Sequence, residues 1–252
     1  EAFGIMDHSM KASSVVFRQL MNARVHLGHK TRIWEPRMAP YILGVRNGMH
    51  IINLDRTVVL LSQALRFARE LSYRSGRILW LGPKEPIQHK VLAEIAQKTP
   101  HVLFTKEYKK WVAGTLTNAG KTEKLEEFDY KLPDALFVLD CLHNYTAIRE
   151  ANQVGIPVIG IVDTDCNPEI VTYPIPGNDE STRALHLYSS LMSQAMIEGS
   201  KMAHHASRGK IPKIPTKKEH PVIENSDDSN TNTESQSQNT EAFESEEAAS
   251  RQ

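Results

Sequence analysis

The chain has 252 residues, 40% of them hydrophobic and 24% charged. That length suits one large domain or two small ones, no apolar run reaches the roughly 18 residues of a membrane-spanning helix, and two cysteines, Cys141 and Cys166, are too few for a disulfide framework and read as reduced thiols. The formal net charge of zero hides a segregation: residues 221–252 carry eight acids and one base, so the first 220 residues carry 29 bases and 22 acids.

The first ten residues are weakly patterned, without a starting methionine or a signal-peptide core, and read as the start of a processed product or of a trimmed chain. Residues 13–25 predict a helix with Val16, Leu20 and Ala23 on one side. Residues 24–47 show neither helix nor strand period. A short strand is predicted over 50–54. An amphipathic helix follows over 57–73, where Val58, Leu61, Leu65, Ala68 and Leu71 recur at spacings of three and four and Gly76 closes the last turn. A strand over 77–81 stops at Gly82-Pro83, and Pro86 opens a helix to about Gln97. Residues 101–104 form a short strand, and 134–139 a continuous apolar run that reads as a fully buried one. A helix over 145–154 closes at Gly155. Strands over 157–162 and 172–175 follow, and Asn178 or Asp179 caps a long helix to about His204.

This alternation, with apolar strands, predicts an α/β fold: a doubly wound, mostly parallel sheet with helices on both faces. The domain organisation expected is an N-terminal extension over 1–12, the α/β domain over 13–205, a basic extended arm over 206–221 rich in proline, and a disordered acidic tail over 222–252. The stretch from Ser226 to Thr240 has no apolar residue with which to offset chain entropy.

In an open parallel sheet, ligands bind beyond the carboxyl ends of the strands. Asp140, Asp163 and Asp165 stand there, and three carboxylates at one rim suit magnesium beside a phosphate. The run Asp163-Thr164-Asp165 resembles the first motif of haloacid-dehalogenase-type phosphotransferases, but it lies on the last long strand rather than the first. The simpler reading is that both acids shape a turn by accepting backbone hydrogen bonds. No dinucleotide fingerprint or phosphate-binding P-loop occurs, and His26 and His29 lack a second ligand pair at zinc spacing. No catalytic residue, metal or cofactor is expected.

A polyanion partner is better supported. Residues 11–50 hold seven lysines and arginines against Glu35 alone. Within them Arg24, His26, His29, Lys30, Arg32, Trp34, Arg37, Arg46 and Asn47 combine cations that grip phosphate with an aromatic that stacks on bases. Lys106, Lys109, Lys110 and Trp111 form a second cluster ahead of Gly114 and Asn118. Residues 151–200 reverse the sign, with one base against six acids, which suits basic protein neighbours.

Five ordered motifs carry a resemblance. Arg24-Val25-His26-Leu27-Gly28-His29-Lys30 runs on to Trp34-Glu35-Pro36-Arg37-Met38 and His50-Ile51-Ile52-Asn53-Leu54. Gly114-Thr115-Leu116-Thr117-Asn118 follows, then Leu132-Pro133-Asp134, then Gly155-Ile156-Pro157 leading to Asp163-Thr164-Asp165, and last Ile175-Pro176-Gly177-Asn178-Asp179. Over about residues 17–200 the chain resembles the small-ribosomal-subunit protein S2 family. The resemblance implies a doubly wound fold, no catalysis, and a place on small-subunit rRNA among neighbouring ribosomal proteins, between head and body near the messenger exit. It implies neither a membrane nor a homo-oligomer. Bacterial members carry a long helical hairpin between the Leu-Thr-Asn turn and the Leu-Pro-Asp strand, whereas here only residues 119–131 lie between. That shortening, with Ile170-Val171-Thr172-Tyr173-Pro174, resembles the animal mitochondrial branch and implies the mitochondrial matrix. With the two clusters above, the RNA-binding set expected is Arg24, His26, His29, Lys30, Arg32, Trp34, Arg37, Arg46, Asn47, Lys106, Lys109, Lys110 and Asn118.

Overall fold

A computed structural model describes residues 16–83, 85–104, 111–118 and 131–208, all within the compact unit Glu1–Ile211. Its elements, in chain order, are a helix α1 over 16–22, strands β1 (Leu27–Lys30), β2 (Ile42–Arg46) and β3 (Met49–Ile52), and helix α2 (Leu54–Tyr73). Then come β4 (Ile78–Leu81), α3 (Pro86–Gln97), β5 (Val102–Leu103), β6 (Ala135–Val138), α4 (Tyr145–Val154), β7 (Val158–Val162), β8 (Tyr173–Pro176) and α5 (Thr182–Arg208). Short 3-10 turns cover Pro36–Tyr41 and Pro168–Ile170.

The main sheet is parallel throughout, in the order β5-β4-β6-β7-β8. Every residue of β4, β6 and β7 is buried, which is why their sequences read as continuous apolar runs rather than alternating ones. Alternate side chains feed two cores. Ile78, Trp80, Phe137, Ile159 and Ile161 pack with α1, α2, α3 and α5. Leu79, Leu136, Val138, Val158 and Val162 pack with α4, Met38 and Leu116 on the other face. Cys141 and Cys166 are free, buried thiols in that second core.

The chain crosses from one side of β4 to the other between β5 and β6, so the order reverses at the β4/β6 junction. A crevice opens there beyond the strand ends, the place where doubly wound sheets bind ligands.

A second sheet, antiparallel in the order β1-β3-β2, occupies the segment that lacks a period in the sequence. Its strands are four or five residues long, and both pairings carry a register irregularity, which erases the alternation that marks a strand. Asn47 and Gly48 turn the β2–β3 hairpin with φ of 53° and 73°, the left-handed pair that a two-residue hairpin turn needs. The strand predicted over 50–54 ends at Ile52 because the Asn53 side chain accepts from the Asp55 N–H at 3.0 Å and starts α2 early.

Two other helix ends differ from expectation. The left-handed residue that closes α2 is Ser75, at φ 61°, not Gly76, whose N–H bonds the Leu71 carbonyl at 2.9 Å. Asn178 accepts from the N–H groups of Glu180 and Ser181, both at 2.8 Å, ahead of α5 rather than at its cap. α5 runs to Arg208, so residues 206–208 are helical and the basic arm does not begin at 206. The acidic tail lies outside the described residues.

Candidate functional site

The crevice is lined largely by acids. The loops that leave β6, β7 and β8 bring Asp140, Asp165 and Asp179 to a cavity of about 460 Å³, whose wall also includes His29, Glu85 and Glu180. Asp163 lies behind them, 1% exposed. Its Oδ1 accepts from the Thr164 N–H at 2.5 Å and from Thr164 Oγ1–H at 3.2 Å, and its Oδ2 accepts from the Asp179 N–H at 3.3 Å. These are the turn-shaping bonds that the sequence suggests. They give Asp163 a turn-shaping role, and its 1% exposure does not suit a nucleophile that must reach a phosphorus atom.

His29 meets these acids. His29 Nδ1 stands 3.1 Å from Asp163 Oδ1 and 3.7 Å from Asp165 Oδ1, and Nε2 lies 3.3 Å from Glu180 Oε1. His29 Nδ1 and Asp163 Oδ1 form a short ion pair. The Asp163 carboxylate is the main reason the His29 pKa is pushed up to about 10; burial opposes it, and the charges of Asp163, Asp165 and Glu180 add to it. Burial, followed by the charges of Asp163, Asp140 and Asp165, holds Asp179 far above the usual carboxylate range. Burial likewise raises Asp165, against the pull of His29.

One ligand atom each from His29, Asp163 and Asp179 lies within 4.8 Å of the others, and an imidazole nitrogen with two carboxylate oxygens is a set that can hold a divalent metal. The sequence gives no sign of it, because the three residues come from three separate segments.

The same strand that delivers His29 is fastened to the rim by its backbone. The His29 N–H donates to Thr164 Oγ1 at 2.8 Å, the Glu35 N–H to the Thr164 carbonyl at 2.8 Å, and Asn178 Nδ2 to the Leu27 carbonyl at 2.7 Å. Gly28 makes this approach possible, since a β-carbon there would stand 2.5 Å from Thr164 Cγ2.

The outer face of the antiparallel sheet is basic. Lys30, Met49 and Arg46 lie in one cross-strand row, all exposed. Arg24, Arg32 and Asn47 are exposed too. Arg32, Lys30 and Arg46 make no ion pair among the described residues, whereas Arg37 reaches Glu169 at 3.3 Å and Glu35 at 4.0 Å. His26 brings no charge at neutral pH, because burial, and then the Arg24 guanidinium, lower its pKa. Trp34 is 36% exposed, its ring centroid 5.1 Å from that of buried His50.

The structure thus gathers Lys30, Arg32, Trp34, Arg46 and Asn47 on or beside one sheet. It departs from the expectation for His29, whose ring faces the acids of the rim instead of the basic surface. Lys106, Lys109 and Lys110 lie outside the described residues. Asn118 is exposed at the end of a turn over 113–118.

That turn hangs on a residue that the sequence reading passes over. Glu150, 6% exposed on α4, accepts from Trp111 Nε1–H at 3.2 Å and from the N–H groups of Gly114 at 2.8 Å and Leu116 at 3.0 Å. Burial pushes its pKa up, but these donors together with Thr117 outweigh it and leave Glu150 below the ordinary glutamate value. An acid on the apolar stripe of a helix, between Ala147 and Ala151, is the signal that reveals it.

Comparison with known proteins agrees with this architecture. The family model described as "Ribosomal protein S2" matches residues 20–131 and 121–199. The two pieces overlap in the short span after the turn. The chain is 39% identical over 221 residues to "Small ribosomal subunit protein uS2" of Dinoroseobacter shibae, covering 72% of this chain and 84% of that protein. It is 37% identical over 232 residues to the protein of the same description from Acinetobacter baylyi, covering 75% and 91%.

Proposed function

The chain belongs to the ribosomal protein S2 family, and from that premise we propose that it is a structural, non-catalytic component of the mitochondrial small ribosomal subunit, bound to rRNA and to neighbouring ribosomal proteins. The observation that carries the RNA reading is the row Lys30–Met49–Arg46, with Arg32 close by in sequence: exposed cations without acidic partners among the described residues. Unpaired surface cations in a cluster attract phosphate and release counterions on binding. Lys106, Lys109, Lys110 and Asn118 extend the contact in this reading. The acidic cavity beside it, lined by His29 on the same strand as Lys30, suits basic protein neighbours. The mitochondrial assignment is supported by the shortened span over 119–131, where bacterial members carry a hairpin.

The test is sedimentation of the tagged chain from a gentle mitochondrial lysate, with and without ribonuclease. Co-migration with the small subunit, abolished by ribonuclease, is the expected result. Recovery of the tagged chain outside mitochondria overturns the location, and free migration in both samples overturns the ribosomal reading itself.

A further inference from the structure

We propose that Trp34, backed by His50, is the receiving platform for one unpaired base of the RNA. This rests on the RNA-binding reading above and adds to it which part of the RNA is met: a single-stranded nucleotide, not a duplex.

Three observations converge. First, Trp34 is a large aromatic left 36% exposed while His50 beneath it is 6% exposed, with ring centroids 5.1 Å apart and planes inclined at 31°. One side of the indole meets another flat ring, and about a third of the residue is open to solvent. An aromatic braced in this way loses little side-chain freedom when a base settles on it, which is what preorganisation for stacking requires.

Second, both ring nitrogens of His50 are buried and have no hydrogen-bond partner. Buried polar atoms are nearly always paired, and an apolar residue at this strand position would avoid the cost. The orphaned imidazole therefore points to a partner that arrives with the ligand. A nucleotide offers donors and acceptors on its base edge and at its 2′-hydroxyl.

Third, cations stand on the same small sheet. Lys30 and Arg46 flank Met49 in register, and Arg32 lies two residues before Trp34. An exposed aromatic with an exposed cation two residues away fits a single-strand site, where phosphates are held electrostatically and bases stack. In a duplex the base faces are already stacked on each other and are closed to Trp34. The exposed apolar residues Leu43 and Val45 on β2 also suit a protein neighbour, and the experiment separates the two.

The full chain is titrated with a transcript of its small-subunit rRNA and, separately, with a blunt RNA duplex, over a range of salt. Stacking adds affinity without releasing counterions, so Trp34→Ala is expected to weaken binding to the rRNA by roughly 5- to 150-fold with the slope of log K against log salt unchanged. Trp34→Phe restores binding to within a few fold. His50→Phe keeps the brace but lacks the polar atoms, and weakens binding by roughly 2- to 10-fold. None of the three changes binding to the duplex. If Trp34→Ala leaves rRNA affinity untouched while Arg32→Ala/Arg46→Ala still lowers the slope, the platform is refuted and the RNA reading stands. If Trp34→Ala weakens rRNA and duplex binding alike, the single-strand inference is refuted. If the wild-type chain binds neither RNA, both readings fall.

Discussion

Substituting Glu150 tests whether one buried carboxylate holds the turn over 113–118. Donors from Trp111, Gly114 and Leu116 converge on it, and the Leu116 N–H belongs to a residue 1% exposed. A hydrogen bond to a charged group contributes about 1.5–3 kcal/mol, and leaving a buried donor unmet costs about 1–3 kcal/mol. Glu150→Gln keeps the shape but turns an NH2 group toward an N–H, so it should cost about 2–4 kcal/mol, a large share of a stability of roughly 5–15 kcal/mol. Urea unfolding followed by tryptophan fluorescence measures this, with Trp111 as a local reporter. The pH dependence has a fixed sign. Glu150 is depressed below its ordinary value of 4.5 in the folded chain, so its contribution is present in full above about that pH and is lost as pH falls through the lower folded value. The gap between wild type and Glu150→Gln should therefore close under acid. A gap below about 0.5 kcal/mol at neutral pH, or one that widens on acidification, refutes the reasoning.

Three further outcomes follow from the geometry. Gly28→Ala forces a β-carbon against Thr164 and should cost about 1–3 kcal/mol in thermal unfolding; Thr164→Ser, which removes the Cγ2 atom in the way, should recover part of it. Gly155 closes α4 at φ +76° with open space around it, so Gly155→Ala should cost about 1–2 kcal/mol through backbone strain alone, and Gly155→Asn less. Arg32→Ala/Arg46→Ala should reduce the salt dependence of rRNA binding by close to two counterions, whereas Arg37→Ala, whose guanidinium is already paired with Glu169, should reduce it by less than one.

The parallel core was legible because each of its elements carries its own local signal. β4, β6 and β7 are buried on both faces and read as unbroken apolar runs; α3 opens on Pro86 and α4 closes on left-handed Gly155. The antiparallel sheet was not legible, because its strands are short and irregular and most of β2 faces solvent, so no apolar alternation is imposed on it. The Asn47-Gly48 pair was its one local sign. The basic residues could be picked out by composition, but not which of them are paired: Glu169 neutralises Arg37 from 132 positions away in the chain. His29 shows the same limit, since its neighbours in sequence are basic and its neighbours in space are acidic.

That contrast decides how a His29 variant should be read. Along β1 successive side chains point to opposite sides: His29 turns in to Asp163, Asp165 and Glu180, and Lys30 turns out to the basic row. The acidic rim and the basic face are thus joined through adjacent residues of one strand. His29→Ala would leave buried Asp163 without its cation and loosen the strand that carries Lys30, so rRNA affinity should fall although His29 touches no phosphate. A loss of affinity alone would then be mistaken for a direct contact. The salt slope tells them apart: a phosphate ligand takes roughly one counterion with it when removed, while a positioning residue lowers affinity and leaves the slope in place. Lys30→Ala should do the first and His29→Ala the second, with His29→Ala alone also lowering the thermal midpoint of the free chain. A His29→Ala variant that melts like wild type but binds with a slope reduced by one would mean that the imidazole faces the RNA after all, and that the acids at the rim are held by something else.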